Sequence, residues 1–307
     1  MLFNSLVLAE DRRLIDIVII TIAGNGTGAG KSTCATILIN ELSKHANTER
    51  YSFAAPLKQF LIQNGIITEQ QAYDPAYKET ATDFTFNTFI AASALTNSLK
   101  DPKTAVKTLL QYVYIPKGIR VNIDALIIDI EEGTRPRGSE TTPEELLPSL
   151  RNAPLTARAM MQLFGTEVMR KNFCYDIWLK LATNRLFIDA QIENKKESSI
   201  KVAIFDDARF KNETNIIEYL TRKINKYRGE GGDYLLWEKK IYINRPNRKT
   251  TSHASEGQIM PDNSWNIVYN NGTLFDFQQT CKDLCPKIMD LSTDRYYLPE
   301  HGIGRPS

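Results

Sequence analysis

The sequence predicts an α/β fold with a mostly parallel sheet, and three observations point there. An apolar run, Val18 to Ala23, passes through glycines at 24, 26, 28 and 30 into the pattern Cys34, Ile37, Leu38, Leu42, which reads as strand, glycine loop and helix. A second short strand, Lys201 to Phe205, ends in Asp206 and Asp207, and ligands of α/β sheets bind at such strand ends. Between and beyond these, helical stripes and short strands follow one another as far as Ile288.

The glycine loop carries the chemistry. Glycines let successive backbone N–H groups face one point, the helix N-terminus adds partial positive charge, and Lys31 adds a full one. Gly26, Gly28, Ala29, Gly30, Lys31, Ser32 and Thr33 are therefore predicted to cradle phosphate. The pattern G-x-x-x-x-G-K-[ST], counted back from Gly30-Lys31-Ser32, puts Asn25 where its first glycine belongs. Two readings stay open: Asn25 takes that turn, since Asn tolerates positive φ, or Gly24 does and the loop is one residue longer. Gly24 to Ala29 also satisfies the dinucleotide fingerprint G-x-G-x-x-[GA]. That motif needs an acidic residue at the end of the next strand, and Glu49 precedes the next predicted strand, Arg50 to Ala54.

With 307 residues, 42% of them hydrophobic, the chain can bury a substantial core as one large domain or two small ones. Its 38 basic and 36 acidic residues leave a net +2, too balanced to make nucleic acid or an anionic membrane the main partner. Cys34, Cys174, Cys281 and Cys285 lack metal-ligand or redox spacing and read as buried thiols of a reducing compartment. The longest apolar run is too short for a bilayer, and MLFNSLVLAEDRR has its charges after its apolar part, the reverse of a secretory signal. A cytoplasmic location is expected.

In chain order, Tyr51 to Lys58 reads as a short strand turning at Pro56 into a helix that ends near Gln63. Phe53 faces a base or the core there, and Lys58 a phosphate or solvent. Residues 64 to 154 are the least regular, with helical patches at Phe84 to Leu95 and Thr104 to Tyr112 and a strand at Ala125 to Ile130. The charged stretch 131 to 140 reads as a mobile loop in which Arg135 and Arg137 either close over phosphates or stay solvated. From Thr156 a helix buries Ala157, Met160, Met161, Phe164 and Val168, with Arg158 and Gln162 on another face and Arg170 further along. A helix from about Tyr175 to Asp189 buries Ile177, Trp178, Leu181, Ala182 and Leu186; Trp178 is either core or a base-stacking platform. Of the two carboxylates after Phe205, adjacent side chains point to opposite faces, so one reaches a Mg²⁺ opposite Ser32, and Asp207, beside Arg209, is chosen. Asn212 is expected to cap a helix striped by Ile216, Ile217, Leu220 and Ile224, followed by a turn at 228 to 233 and a strand at Lys240 to Asn244. A basic connection, Arg245 to Lys249, either screens a transferring phosphoryl group or stays solvated, and it leads to a strand, Trp265 to Tyr269. The last helix is striped by Leu274, Phe277, Cys281, Leu284 and Ile288, and a partly disordered tail follows from residue 291.

Several separated blocks follow the glycine loop in a recognisable order: Ser52 to Lys58; Met161 to Glu167 with Arg170 and Trp178; Asp207 to Glu213; His253 to Glu256; Asn270 to Leu274. In these the chain resembles the bacteriophage deoxynucleoside monophosphate kinases. The resemblance implies a P-loop NTPase-type three-layer αβα fold with a largely helical acceptor-binding insertion. Residues 15–63 and 155–290 would then form the core, 64–154 the insertion and 291–307 the tail. It implies transfer of the ATP γ-phosphoryl group to a deoxynucleoside monophosphate such as dGMP or dTMP, giving the diphosphate, with Mg²⁺. On that basis Lys31 holds the β and γ phosphates and Ser32 and Asp207 the metal. Arg158 and Arg170 grip the acceptor phosphate, Arg209 bridges donor and acceptor, and Phe53, Lys58, Gln162 and Trp178 complete the acceptor site. An acceptor phosphate with a second pKa of roughly 6 is already nucleophilic at neutral pH, so no catalytic base is required. The expected partners are small molecules, neither nucleic acid nor membrane, and a homodimer through the insertion stays open. Two other readings remain: a P-loop kinase of another small molecule, such as dephospho-coenzyme A, or an ATP-binding regulatory module without activity.

Overall fold

The computed structural model describes residues 14–85, 154–170, 174–193, 200–226, 233–246, 259–292 and 295–296. The predicted elements at Thr104 to Tyr112 and Ala125 to Ile130, the loop 131 to 140, and His253 to Glu256 lie outside these residues. So do most of Phe84 to Leu95, the turn at 228 to 232, residues 247–249 and most of the tail.

The elements in chain order are β1 (Leu14–Gly24), α1 (Lys31–Leu42), β2 (Asn47–Tyr51), α2 (Ala55–Gln63), α3 (Glu69–Tyr73), α4 (Pro75–Lys78), β3 (Ala81–Thr85), β4 (Pro154–Thr156) and α5 (Ala157–Gln162). A π-helical stretch, Leu163–Arg170, leads to α6 (Ile177–Glu193) and β5 (Ile200–Phe205). After a 3₁₀ turn, Lys211–Thr214, come α7 (Ile216–Lys226), β6 (Asp233–Asn244), β7 (Trp265–Tyr269), α8 (Leu274–Asp283), α9 (Cys285–Met289) and β8 (Arg295–Tyr296). Two compact units result, one holding the described residues up to Ser52 and from Thr183, the other those from Phe53 to Ala182. The division therefore falls after Ser52 and within α6, where the sequence suggested 63/64 and 154/155. The reason is packing: α2 shares its core with the helical segment after Thr156, as detailed below.

The first unit is built on a sheet in the order β2-β5-β1-β6-β7, all parallel, with β8 antiparallel to the first half of β6. β1 is central and buried on both faces, which is why it reads as an unbroken Ile and Val run. One face, Val18, Ile20 and Ile22 with Val202, Ile204, Ile241 and Ile243, meets Cys34, Ala35, Leu38 and Leu42 of α1 and Phe277 and Cys281 of α8. The other face, including Ile17, Ile19, Ala203 and Phe205, is equally buried. α7 packs on β6 through a buried stripe, Ile216, Ile217, Leu220 and Ile224, that is not part of the α1 cluster. The predicted αβα layering follows. None of the four cysteines forms a disulfide; Cys34, Cys174 and Cys281 are buried and Cys285 is half-buried.

Several boundaries differ from expectation. β2 ends at Tyr51, and Phe53 and Ala54 form the turn into α2 instead of extending the strand. β6 starts at Asp233, seven residues before the predicted Lys240, because Glu238 and Lys239 interrupt its apolar pattern at mid-strand. Asn212 lies inside the 3₁₀ turn and caps nothing in α7, which starts at Ile216. Leu274 is 64% exposed because it is the first residue after the Thr273 cap; the rest of the last stripe is buried, across a break at Leu284. Phe84 and Thr85 belong to β3, paired with β4, and not to a helix.

In the second unit, Thr156 caps α5 by accepting the Ala159 N–H at 3.1 Å. The chain then widens into π-helical turns, which shifts the 3.6-residue register beyond Leu163; Met161, before them, is only half-buried. Phe164 stacks on Phe60 of α2, with centroids 4.9 Å apart and planes 6° from parallel. Gly165 lies so close to Leu57 that a Cβ would sit 2.9 Å from its Cδ2.

A charged cluster closes the β2–β5 edge of the first unit. Buried Lys201 donates to Glu49 at 2.9 Å, and the Tyr51 hydroxyl lies 3.1 Å from Glu49 and 2.9 Å from Asp189, which also accepts Arg185 at 2.7 Å. Burial and the charges of Asp189 and Glu49 push the Tyr51 hydroxyl far up. Burial alone would raise Glu49, but the hydrogen bond and charge of Lys201 outweigh it and bring the carboxyl below its ordinary value.

Two predictions follow from this packing. Phe164→Ala should cost about 3–5 kcal/mol in denaturant unfolding, since it removes a fully buried ring. Because Glu49 titrates lower folded than unfolded, its contribution is complete above the ordinary carboxylate pKa of about 4.3 and is lost as pH falls through the folded value. Glu49→Gln should therefore flatten the acid side of a melting-temperature profile relative to the parent protein.

Candidate functional site

The loop between β1 and α1 is shaped by glycines with different jobs. Gly24 ends β1 against the backbone of β6, where a Cβ would stand 2.7 Å from the Ile243 carbonyl. Gly26, Gly28 and Gly30 turn the chain with φ of 131°, 72° and 114°, conformations that side chains disfavour. Gly30 is also crowded, since a Cβ there would meet Asn270 Nδ2 at 2.8 Å and Phe277 Cζ at 2.9 Å. As the N-cap of α1 it supplies no side-chain hydrogen bond to the helix N-terminus.

Side chains from two strand ends hold this loop. Asn25 donates its backbone N–H to Ile243 O at 3.2 Å, and its side chain binds Asn244 and the Arg245 peptide. Asn270, just after β7, donates to Ala29 O at 2.8 Å, and Arg245 Nη1 donates to Gly28 O at 3.2 Å. Lys31 folds back over the loop, its Nζ 2.9 Å from Gly26 O. Ser32 and Thr33 are exposed at the first turn of α1. Both candidates for the first loop position thus have distinct duties: Gly24 allows strand contact, and Asn25 ties the loop to β6.

The carboxylates after β5 divide. Arg50 pairs with Ile204 in register, and Ile204 belongs to the sheet face covered by α1. Asp206 lies with Arg50, its Oδ1 accepting Arg50 Nε at 3.0 Å and its Oδ2 accepting Nη2. This bond, more than any other influence, raises the Arg50 guanidinium pKa. Asp207, half-buried, accepts the Ser52 hydroxyl at 2.6 Å. Arg209 leaves the chain where buried Glu213 accepts the backbone N–H groups of residues 209 and 210, at 2.7 and 3.0 Å. Among the described residues no group of three or more His, Cys, Asp or Glu could enclose a metal ion. A serine hydroxyl with one carboxylate suits a hard cation that takes most of its ligands from phosphates and water.

In the second unit the predicted acceptor residues separate by burial. Phe53 and Trp178 are 2% and 3% exposed, and the Trp178 indole donates to Gly165 O at 3.0 Å, so both are core. Arg170 is 4% exposed; its Nη1 donates to Tyr175 O at 3.0 Å and its guanidinium lies 5.9 Å from the Tyr175 ring. Arg158 pairs with Glu79, Gln162 is half-buried, and Lys58 Nζ lies 4.6 Å over the Tyr73 ring. Tyr73, Tyr77 and Tyr175 are the exposed aromatics of this unit among the described residues. They had no motif to mark them. Arg50 and Asn244 also escaped the sequence, and Asn270 was marked only as the start of a block, without a role; the one available signal was polar residues ending strands beside a glycine loop.

A parallel sheet whose central strand runs through a glycine loop and a Lys-Ser pair into a covering helix is the architecture of the P-loop kinases. The model of one kinase family, deoxynucleotide monophosphate kinase, matches residues 18–281, and the chain belongs to that family. Its substrates are accordingly small nucleotides. No curated protein sequence matches the chain. Among the described residues no helix is long and apolar enough to cross a membrane.

Arg50→Ala should lower stability by on the order of 1–3 kcal/mol by leaving buried Asp206 without its cation. Adding Asp206→Asn to that variant should recover part of the loss in the same unfolding assay.

Proposed function

We propose that the protein transfers the γ-phosphoryl group of ATP to a deoxynucleoside monophosphate of the dGMP or dTMP type, giving the diphosphate. The observation that carries this reading is the loop itself, in which three left-handed glycines and Lys31 converge at an uncapped helix N-terminus. Such a concavity fits the β and γ phosphates, with Lys31 exchanging its loop carbonyl for phosphate oxygen. Ser32 and Asp207 are the proposed Mg²⁺ ligands, and the ion would neutralise phosphate charge as it moves from donor to acceptor. The chain's own task is then positioning. Arg158 and Arg170 are proposed to hold the acceptor phosphate and Arg209 the transferring group, each a planar donor pair suited to phosphate. Lys58 and Gln162 are proposed to contact the acceptor, while buried Phe53 and Trp178 support that site from beneath it. The acceptor oxygen is already deprotonated near neutral pH, so nothing in the site has to remove a proton.

Purified protein with Mg-ATP should release ADP on addition of one or more deoxynucleoside monophosphates, and Lys31→Ala should lose nearly all of this turnover while remaining folded. Release that no monophosphate stimulates would refute the reading. The carboxylates can be told apart in the same assay: Asp207→Asn should raise the Mg²⁺ requirement with little change in melting temperature. Asp206→Asn, which breaks the Arg50 pair, should act mainly on stability.

A further inference from the structure

We propose that Arg245 is a second cation for the phosphates of the donor nucleotide and that Asn25 is the residue that positions it. The proposal rests on the reading that the glycine loop takes ATP.

Asn25 occupies a place where phosphate loops carry glycine, and its side chain is fully engaged by one neighbouring stretch of backbone. Its Oδ1 accepts the Arg245 N–H at 3.1 Å, and its Nδ2 donates to Arg245 O at 2.8 Å and to Asn244 Oδ1 at 2.9 Å. An N–H only donates and a carbonyl only accepts, so this pattern fixes the amide orientation and requires both halves of an asparagine. Aspartate lacks the donor, and glycine or alanine lacks both groups. The bonds fall where β6 leaves the sheet, one residue beyond the Gly24–Ile243 register pair. They therefore set the direction in which Arg245 departs.

The consequence is visible in the loop. Arg245 is exposed, and one of its guanidinium N–H groups reaches Gly28 O at 3.2 Å. Lys31 reaches Gly26 O at 2.9 Å. Two cations thus stand on the carbonyls of alternate loop glycines. A guanidinium bound through one N–H keeps further donors in the same plane, the geometry that phosphate oxygens use in pairs.

The test is equilibrium binding of a non-hydrolysable ATP analogue with Mg²⁺ to the full chain, alongside steady-state kinetics. Arg245→Ala should weaken binding about tenfold or more and raise the KM for ATP while leaving the acceptor KM unchanged; Arg245→Lys should recover part of the loss. Asn25→Gly should reproduce most of the effect, and Asn25→Gly with Arg245→Ala should be no worse than Arg245→Ala alone. If Asn25→Gly does not fold, Asn244→Ala removes one of the three bonds and should give a smaller loss of the same kind. Unchanged ATP affinity in Arg245→Ala, or losses that simply add in the double variant, overturns the proposal. Parent protein that binds no ATP analogue overturns instead the donor assignment on which it rests.

Discussion

The glycine loop between β1 and α1 takes its form from contacts with the ends of neighbouring strands, and that dependence governs the first unit. Gly26, Gly28 and Gly30 give the chain the necessary turns but no rigidity. Shape is imposed from outside, by Asn244 and Arg245 at the end of β6, which hold Asn25 and Gly28, and by Asn270 just after β7. Those two strands are neighbours in the sheet and lie on the same side of β1. The loop's form is therefore tied to the sheet's order, and Gly24 is glycine because the β6 backbone must come within contact of it.

The same logic applies to the charged groups. Phosphoryl transfer relies on positioned charge more than on covalent chemistry, so a useful cation or carboxylate is one that is held. Asp206 is held by Arg50, and the Arg209 backbone by buried Glu213. In the second unit Trp178 fixes the Gly165 carbonyl, and Gly165 belongs to the π-helical stretch that ends at Arg170. Of the two readings open for this indole, core or platform for a base, its burial fits the first.

Much of the fold was legible because its signals are local. The Ile and Val run of β1, the stripe of α1 and the five-residue strand at Trp265 announce themselves by composition and period. The glycine loop and Lys31 were equally plain. What stayed hidden depends on contacts distant in sequence. Asn25 and Arg245 are 220 positions apart, and nothing near either one foretells their bond. The first half of β6 was missed because charged residues interrupt the strand at its middle, and the partner that accommodates one of them, the Asp290 carbonyl at Lys239, is distant in sequence. Trp178 was ambiguous because an indole serves a core and a ligand equally well, and only burial decides.

The central claim, that residues 24 to 33 form the donor phosphate site, is tested most directly by hydrogen exchange with and without Mg-ATP. The account predicts slowed exchange of the amides from Asn25 to Thr33, and no such protection there from a deoxynucleoside monophosphate alone. Protection by ATP confined to other segments, with the loop amides unchanged, would contradict it.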